Sequence, residues 1–219
     1  MAAIDFDLDG TLVDSAPDLH AAANATLADE GLEPLSPATI RSYIGDGIDV
    51  LVARCLAASA KDPAKIAAAS AHFRRHYAER DHRGTTIYPG AAEALARLKA
   101  SGHRLAACTN KEESFALDIL ATTGFLASLD AVVGGDTTGR RKPDAAPLLA
   151  CARLCGSQPN ETLYIGDSEI DAETALAAGV DFILYEGGYR REPGRPIAHR
   201  AAFYVYPDLP GLITVLNGI

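Results

Sequence analysis

The chain has 219 residues, 48% hydrophobic and 22% charged, which is enough to bury a sizeable core and argues against a disordered chain. Its formal net charge is −9 and no long basic run occurs, so nucleic acid and anionic membranes are poor partners. No stretch approaches the roughly 20 uncharged apolar residues of a membrane span, and because the sequence starts close to an acidic strand we expect no signal peptide. We therefore expect a cytoplasmic protein.

Six short apolar runs have the length and composition of buried strands. They cover residues 3–8, 104–109, 131–135, 162–166, 181–185 and, more weakly, 202–206. Helical patterns separate several of these runs, at residues 90–100, 114–123, 143–154 and 168–178, and three of them stop at a glycine. This alternation predicts an α/β fold, a Rossmann-like parallel sheet with helices on both faces.

The segment after the first strand breaks this rhythm, because it contains helix signals and no convincing strand. The helix-start signals are Ser15-x-x-Asp18, which has the spacing of a capping box, then Ser36-Pro37, the glycine at 47, and Asp62-Pro63. A helical insert of about 70 residues is too large for a loop and predicts a separate small domain.

Polar residues follow four of the predicted strands, and in parallel open sheets ligands bind outside these carboxyl ends. The first strand runs into DLDGT at residues 7–11, in which Gly10 permits a sharp turn, and the next runs into TNK at 109–111. RRKP at 140–143 follows the third, and GDSEID at 166–171 ends the fourth. Carboxylates, a hydroxyl, an amide and lysines are therefore expected at one edge of the sheet.

This order of motifs resembles the phosphatases of the haloacid dehalogenase superfamily over nearly the whole chain. DLDGT is the most specific part, and CTNK, RRKPD and GDSEID support it. The resemblance implies a phosphomonoester hydrolase that forms an aspartyl-phosphate intermediate.

In such phosphatases an all-helical cap is inserted after the first strand. The resemblance therefore implies a core domain of residues 1–13 and 84–219 and a helical cap domain of residues 14–83. The segments YPGAAEALARLKASGHRLAACTNK and RSYIGDGIDVLVARCL are most similar to phosphoglycolate phosphatases, which implies 2-phosphoglycolate as substrate.

The resemblance also implies a role for each strand-end residue. Asp7 would be the nucleophile, and Asp9 would protonate the leaving alcohol and then take a proton from water. Thr109 and Asn110 would donate hydrogen bonds to phosphoryl oxygens, and Lys142 would supply positive charge there.

Mg²⁺ is the implied cofactor, because hard oxygen ligands and a phosphate substrate suit it. By resemblance, its protein ligands would be the Asp7 carboxylate, the Asp9 backbone carbonyl and the Asp167 carboxylate. Asp171 would complete the acidic cluster from behind these ligands and orient Lys142 or a metal-bound water.

Two further features concern the insert and the first strand. Arg41, Gly45 and Gly47 would bind the carboxylate of a small substrate, through a charged side chain and through backbone amides at a helix start. Asp5 departs from the family pattern, which usually has an apolar residue there. We expect it to have a hydrogen-bonding partner at the sheet edge or the cap hinge.

Alternatives stay open. The partner is a small phosphate ester rather than nucleic acid or membrane, but a sugar phosphate, a nucleotide or pyrophosphate would suit the same chemistry. A receiver-type signalling domain also uses an acceptor aspartate, a hydroxyl, a lysine and Mg²⁺, yet receivers are much shorter and lack an equivalent of Asp9. The oligomeric state, monomer or homodimer, is left undecided.

Overall fold

A computed structural model of the chain describes residues 3–58, 65–192 and 196–216. The strands are β1 (Ala3–Phe6), β2 (Val13–Asp14), β3 (Thr86–Ile87), β4 (Arg104–Cys108), β5 (Ala131–Val133), β6 (Thr162–Gly166), β7 (Asp181–Tyr185) and β8 (Ala201–Phe203). The helices are α1 (Ala16–Asp29), α2 (Pro37–Tyr43), α3 (Ile48–Ala58), α4 (Ile66–Arg80), α5 (Ala91–Ala100), α6 (Glu113–Thr122), α7 (Ala146–Leu154), α8 (Glu169–Ala178) and α9 (Leu209–Leu216).

The six predicted strands form one parallel sheet in the order β5-β4-β1-β6-β7-β8. In its interior, β1 pairs with β4 on one side and β6 on the other, so that Ile4 lies opposite both Leu105 and Leu163. The carboxyl ends of β1, β4 and β6 are therefore neighbours at one edge of the sheet. The predicted parallel α/β sheet is confirmed.

Helices cover both faces of this sheet because alternate strand side chains point to opposite sides. Ile4 and Phe6 pack in one apolar cluster with residues of α5, α6 and α9. Ala106 and Tyr164, on the opposite face, pack with residues of α7 and α8. None of the helices in the described ranges combines the length and apolar composition that a bilayer crossing requires.

The helices α1 to α4 pack against one another around a separate apolar cluster that includes Leu27, Val52 and Phe73. β2 and β3 form an antiparallel pair where the chain passes from the sheet to these helices and back. The sequence indicated no strand in this segment, because two-residue strands carry too little periodicity to detect. The domain boundaries at 13/14 and 83/84 stay a prediction, and the helix start at residues 62–63 lies outside the described residues.

The capping box predicted at Ser15 is wrong. The Ser15 side chain makes no capping hydrogen bond, and its hydroxyl donates instead to Asp9. Asp18 is fully buried and accepts from the Gly84 amide at 2.9 Å and the Thr85 hydroxyl at 2.8 Å. Both side chains of the expected box therefore have tertiary partners, which tie the start of α1 to the sheet domain.

Candidate active site

Three buried carboxylates come together beyond the ends of β1 and β6. One oxygen each of Asp7, Asp167 and Asp171 lies within 4.8 Å of the others. Gly10 makes this approach possible, since its φ is +86° and a Cβ there would lie 2.5 Å from Asp167 Oδ2. The glycine of DLDGT thus serves both the turn and the close contact.

Lys142 pairs with two of these carboxylates. Its Nζ lies 3.0 Å from Asp7 Oδ1 and 2.7 Å from Asp171 Oδ1, and it donates to the Tyr164 hydroxyl at 2.8 Å. Burial lowers the pKa of Lys142, but the charges of Asp171 and Asp7 outweigh burial and raise it above its ordinary value. The ammonium therefore stays charged inside the protein.

Asp7 is held through one of its two carboxylate oxygens. Oδ1 accepts from the Leu8 amide at 2.7 Å and pairs with Lys142. Burial raises the pKa of Asp7 to about 7, although Lys142 opposes this shift. Oδ2 has no contact of this kind among the described residues and remains for a ligand.

Asp167 is bound by hydrogen-bond donors but by no cationic side chain among the described residues. The Thr11 hydroxyl donates to Oδ1 at 2.8 Å, and the Tyr189 amide donates to Oδ2 at 2.6 Å. Burial, followed by the charges of Asp171 and Asp7, raises the pKa of Asp167 well above its ordinary value. This carboxylate lies in a site that is short of positive charge.

The cluster fits a divalent cation, because three carboxylates with hard oxygen donors lie together and Lys142 pairs with only two of them, which leaves negative charge uncompensated. Asp171 is the most heavily bonded member. Its donors are Lys142 Nζ, the Tyr164 hydroxyl, the amides of Asp167 and Ser168, and the Ser168 hydroxyl. Asp7 and Asp167 are thus better placed than Asp171 to hold a metal ion, as the sequence predicts for them.

Both carboxylate oxygens of Asp9 have side-chain partners. The Ser15 hydroxyl donates to Oδ1, and Lys111 Nζ lies 3.1 Å from Oδ2. Lys111 also donates to the Tyr77 hydroxyl on α4 at 2.9 Å. The sequence indicated no role for Lys111, although this residue directly follows Asn110 in the TNK motif. That position was the one signal that could have identified it.

Asn110 joins the site to the inserted helices. Its amide donates to the carbonyl oxygens of Gly45 at 2.9 Å and Lys142 at 3.0 Å, and its Oδ1 accepts from the Lys142 amide at 2.8 Å. The Thr109 hydroxyl accepts from the Lys111 amide at 3.3 Å. Donation from Thr109 and Asn110 to a phosphoryl group stays a prediction, and Asn110 would have to release one of these carbonyls.

Two cavities meet at Asp7 and Asp9, and Ile44 and Gly45 also line both. We call the first the apolar cavity. Its further lining includes Leu19, Gly47, Ile48, Leu51, Thr109, Asn110 and Lys111. The second, which we call the acidic cavity, is lined by Asp167, Glu169, Glu173, Glu192 and Arg191, among others.

Arg41 lies away from both cavities. Its guanidinium is 3.1 Å from Asp14 Oδ2 and 4.8 Å above the Tyr189 ring, and about half of the side chain is exposed. The structure therefore brings Gly45 and Gly47 to the apolar cavity but leaves Arg41 outside it. Carboxylate binding by Arg41 stays a prediction that this position does not favour.

Asp5 lies in β1 between Ile4 and Phe6 and points to the opposite face of the sheet. It is fully buried, and neither carboxyl oxygen has a hydrogen-bond partner within the described residues. Burial raises its pKa to about 8. The partner predicted at a sheet edge or the cap hinge is wrong, because β1 lies in the interior of the sheet.

Comparisons with known proteins extend over almost the whole chain. The profile of the haloacid dehalogenase-like hydrolases matches residues 4–185. A phosphoglycolate phosphatase of Cereibacter sphaeroides is 46% identical over 215 residues, which covers 97% of this chain and 98% of the relative. A phosphoglycolate phosphatase of Rhodospirillum rubrum is 42% identical over 216 residues, with coverage of 96% and 88%. The crystal structure of a predicted phosphoglycolate phosphatase from Haemophilus somnus is 30% identical, has a TM-score of 0.90, and aligns over 97% of this chain and 98% of that one.

Proposed function

Because this chain belongs to the haloacid dehalogenase-like hydrolases and is a phosphoric monoester hydrolase, we propose that it hydrolyses 2-phosphoglycolate to glycolate and phosphate. We propose further that the reaction depends on Mg²⁺ and passes through an aspartyl-phosphate on Asp7. The observation that carries the proposal is the convergence of Asp7, Asp167 and Lys142 beyond the ends of the strands. The names of the relatives support the choice of substrate.

Asp7 acts as the nucleophile in this scheme. Lys142 and the Leu8 amide hold Oδ1, so that Oδ2 can form a bond to phosphorus while the bond from phosphorus to the alcohol oxygen breaks. The ammonium of Lys142 offsets negative charge on the phosphoryl group. Mg²⁺, held by the carboxylates of Asp7 and Asp167 and the carbonyl of Asp9, would supply further positive charge at this place.

Asp9 acts as the acid and then as the base. It gives a proton to the departing alcohol oxygen, and it later takes one from the water that attacks phosphorus and releases Asp7. Ser15 and Lys111 hold its two oxygens, so its orientation is set before substrate binds. Residues of the inserted helices, such as Leu19 and Leu51, line the apolar cavity, and closure of these helices over a bound ester would exclude bulk water and favour a small substrate.

The test is a screen of phosphate esters with Mg²⁺, run in parallel with a chelator. We expect 2-phosphoglycolate to have a kcat/KM well above those of aryl phosphates, and the chelator to abolish turnover. A higher kcat/KM for a sugar phosphate, a nucleotide or pyrophosphate would identify that compound as the substrate and leave the proposed mechanism unchanged. Release of no more phosphate than one equivalent per enzyme would instead indicate a receiver-type domain.

A further inference from the structure

The apolar cavity presents a single cationic side chain among the described residues that line it, and that side chain is Lys111. Only 4% of the Lys111 side chain is exposed. Its ammonium lies between the sheet domain and the inserted helices, 3.1 Å from Asp9 Oδ2, 2.9 Å from the Tyr77 hydroxyl and 4.6 Å from the centre of the Tyr77 ring. Much of the remaining lining is aliphatic, as at Leu19 and Leu51. An ester that carries an anionic tail into this cavity therefore meets one side chain that can pair with it.

The ammonium group of Lys111 has a donor to spare. A lysine ammonium has three N–H donors and no acceptor. Asp9 and the Tyr77 hydroxyl account for two of them. The third can bind a substrate oxygen without breaking either contact, so the side chain is fixed in place before the ligand arrives.

Three other cationic side chains near the site, those of Lys142, Arg41 and Arg191, are less suitable. Lys142 is shared between Asp7 and Asp171 and lies where the phosphoryl group is bound. Arg41 is paired with Asp14 outside both cavities.

Arg191 lines the acidic cavity rather than the apolar one. Its guanidinium donates to Asp46 Oδ2 at 2.6 Å and to the Ile44 carbonyl at 2.7 Å. Six carboxylates line that cavity with it, so an anionic tail would be repelled there. The acidic cavity is better suited to a cation.

We propose that Lys111 is the specificity-determining residue of this enzyme and that it binds a carboxylate carried by the leaving alcohol. The inference rests on the proposed function and assigns the carboxylate of 2-phosphoglycolate to Lys111 in place of Arg41. In that ester one methylene separates the carboxylate from the oxygen that Asp9 protonates. Because Lys111 Nζ is 3.1 Å from Asp9, the substrate carboxylate falls within its reach.

The experiment compares two esters of similar length, 2-phosphoglycolate and 2-hydroxyethyl phosphate, in the full-length Mg²⁺-loaded enzyme. Lys111→Met should lower kcat/KM for 2-phosphoglycolate about 10- to 100-fold more than for the uncharged tail, mainly through KM. Lys111→Arg, which keeps the positive charge, should recover part of the preference. A purely structural role of Lys111 would lower both values equally, and that outcome would overturn the proposal.

Arg41→Met is the matched control, because it replaces the other candidate for carboxylate binding with the same uncharged side chain, methionine. It should keep the preference for 2-phosphoglycolate within about threefold, as expected for an exposed ion pair. If Arg41→Met removes the preference and Lys111→Met retains it, Arg41 is the carboxylate-binding residue and our assignment is wrong.

A second measurement separates this inference from the proposed function. Inhibition of aryl phosphate hydrolysis by 2-phosphoglycolate reports binding of the carboxylate whether or not the compound is a good substrate. A wild-type enzyme that hydrolyses 2-phosphoglycolate no better than aryl phosphates would refute the proposed substrate. In that case the Lys111 assignment would still hold if Lys111→Met raised the inhibition constant of 2-phosphoglycolate about tenfold or more relative to that of 2-hydroxyethyl phosphate. The assignment would fail if the substitution raised both inhibition constants equally.

Discussion

The first strand and the turn after it place carboxylates in two different surroundings. Beyond the end of the strand, Asp7 lies 3.0 Å from Lys142, and Asp9 lies 3.1 Å from Lys111. In the middle of the strand, Asp5 is fully buried and has no partner within the described residues. The main difference between the two surroundings is the presence of a cation.

The physical cause is the position of each residue relative to the loops. Beyond the strand ends, loops from neighbouring strands can extend long side chains toward one another, and both lysines come from such loops. Asp5 instead has the strand residues Ala106 and Tyr164 on either side, and their backbone groups are used by the sheet. In the middle of the strand burial therefore favours the protonated form of the carboxyl group, whereas at its end a lysine opposes that shift of the pKa.

Asp7→Asn should have the largest effect, because it removes the proposed nucleophile. Turnover of every ester should fall by at least about 10⁴-fold, as for other nucleophile substitutions. The fold should remain, since Lys142 keeps its contact with Asp171. Steady-state phosphate release and thermal unfolding check both points, and activity within tenfold of wild type would exclude Asp7 as the nucleophile.

Lys142→Met should make the end of the strand resemble the surroundings of Asp5. It leaves Asp7 and Asp171 buried without their cation, which should lower the free energy of unfolding by about 3–5 kcal/mol. Urea denaturation of the metal-free protein at neutral pH measures this loss. The double variant with Asp171→Asn should be more stable than Lys142→Met alone, and no difference between them would argue against charge as the cause.

Asp5→Val should stabilise the protein, and more at high pH than at low pH. The pKa of Asp5 is raised from 3.8 to about 8, so between these values the folded state keeps a proton that the unfolded state has lost. Stability of the natural chain should therefore fall as pH rises through this window. The gain from Asp5→Val should be about 2–4 kcal/mol larger at pH 8 than at pH 5.

Urea denaturation at the two pH values checks the prediction for Asp5, and Asp5→Asn is the isosteric control. Both variants should lose the part of the pH dependence that comes from Asp5, whereas only valine also removes a buried polar group. A gain that is the same at pH 5 and pH 8 would show that Asp5 does not titrate in this range.

Asp167→Asn should have the smallest of these effects. It removes one carboxylate from the proposed metal site, so the Mg²⁺ concentration for half-maximal activity should rise about 10- to 100-fold. Asp5→Asn should leave the same titration unchanged, because Asp5 points away from the site. An unaltered titration in Asp167→Asn would remove Asp167 from the set of metal ligands.

The sequence alone determined the sheet, its parallel direction and the strand ends that carry chemistry. Strand and helix periodicity is local, so it can be read from one chain without knowing what packs against what. The carboxyl ends of parallel strands must share an edge, which is why the DLDGT, TNK and GDS motifs could be expected to meet. Resemblance to a family then supplied the roles.

Only the tertiary structure decided which side chains pair with one another. The spacing of Ser15 and Asp18 indicated a local cap, yet their partners are Asp9 and the segment at Gly84. In the same way, the sequence indicated Arg41 as a carboxylate-binding residue and indicated no role for Lys111. Packing of the inserted helices then left Arg41 outside the cavity and buried Lys111 within it.

The reason is that these contacts join residues far apart in the chain, and local pattern carries no information about them. The order of the strands also depends on contacts between residues far apart in the chain. It put β1 in the interior of the sheet and so left Asp5 without a partner among the described residues. Periodicity specifies the elements and their ends, whereas the order of the strands and the packing of the insert specify the surroundings of each charge.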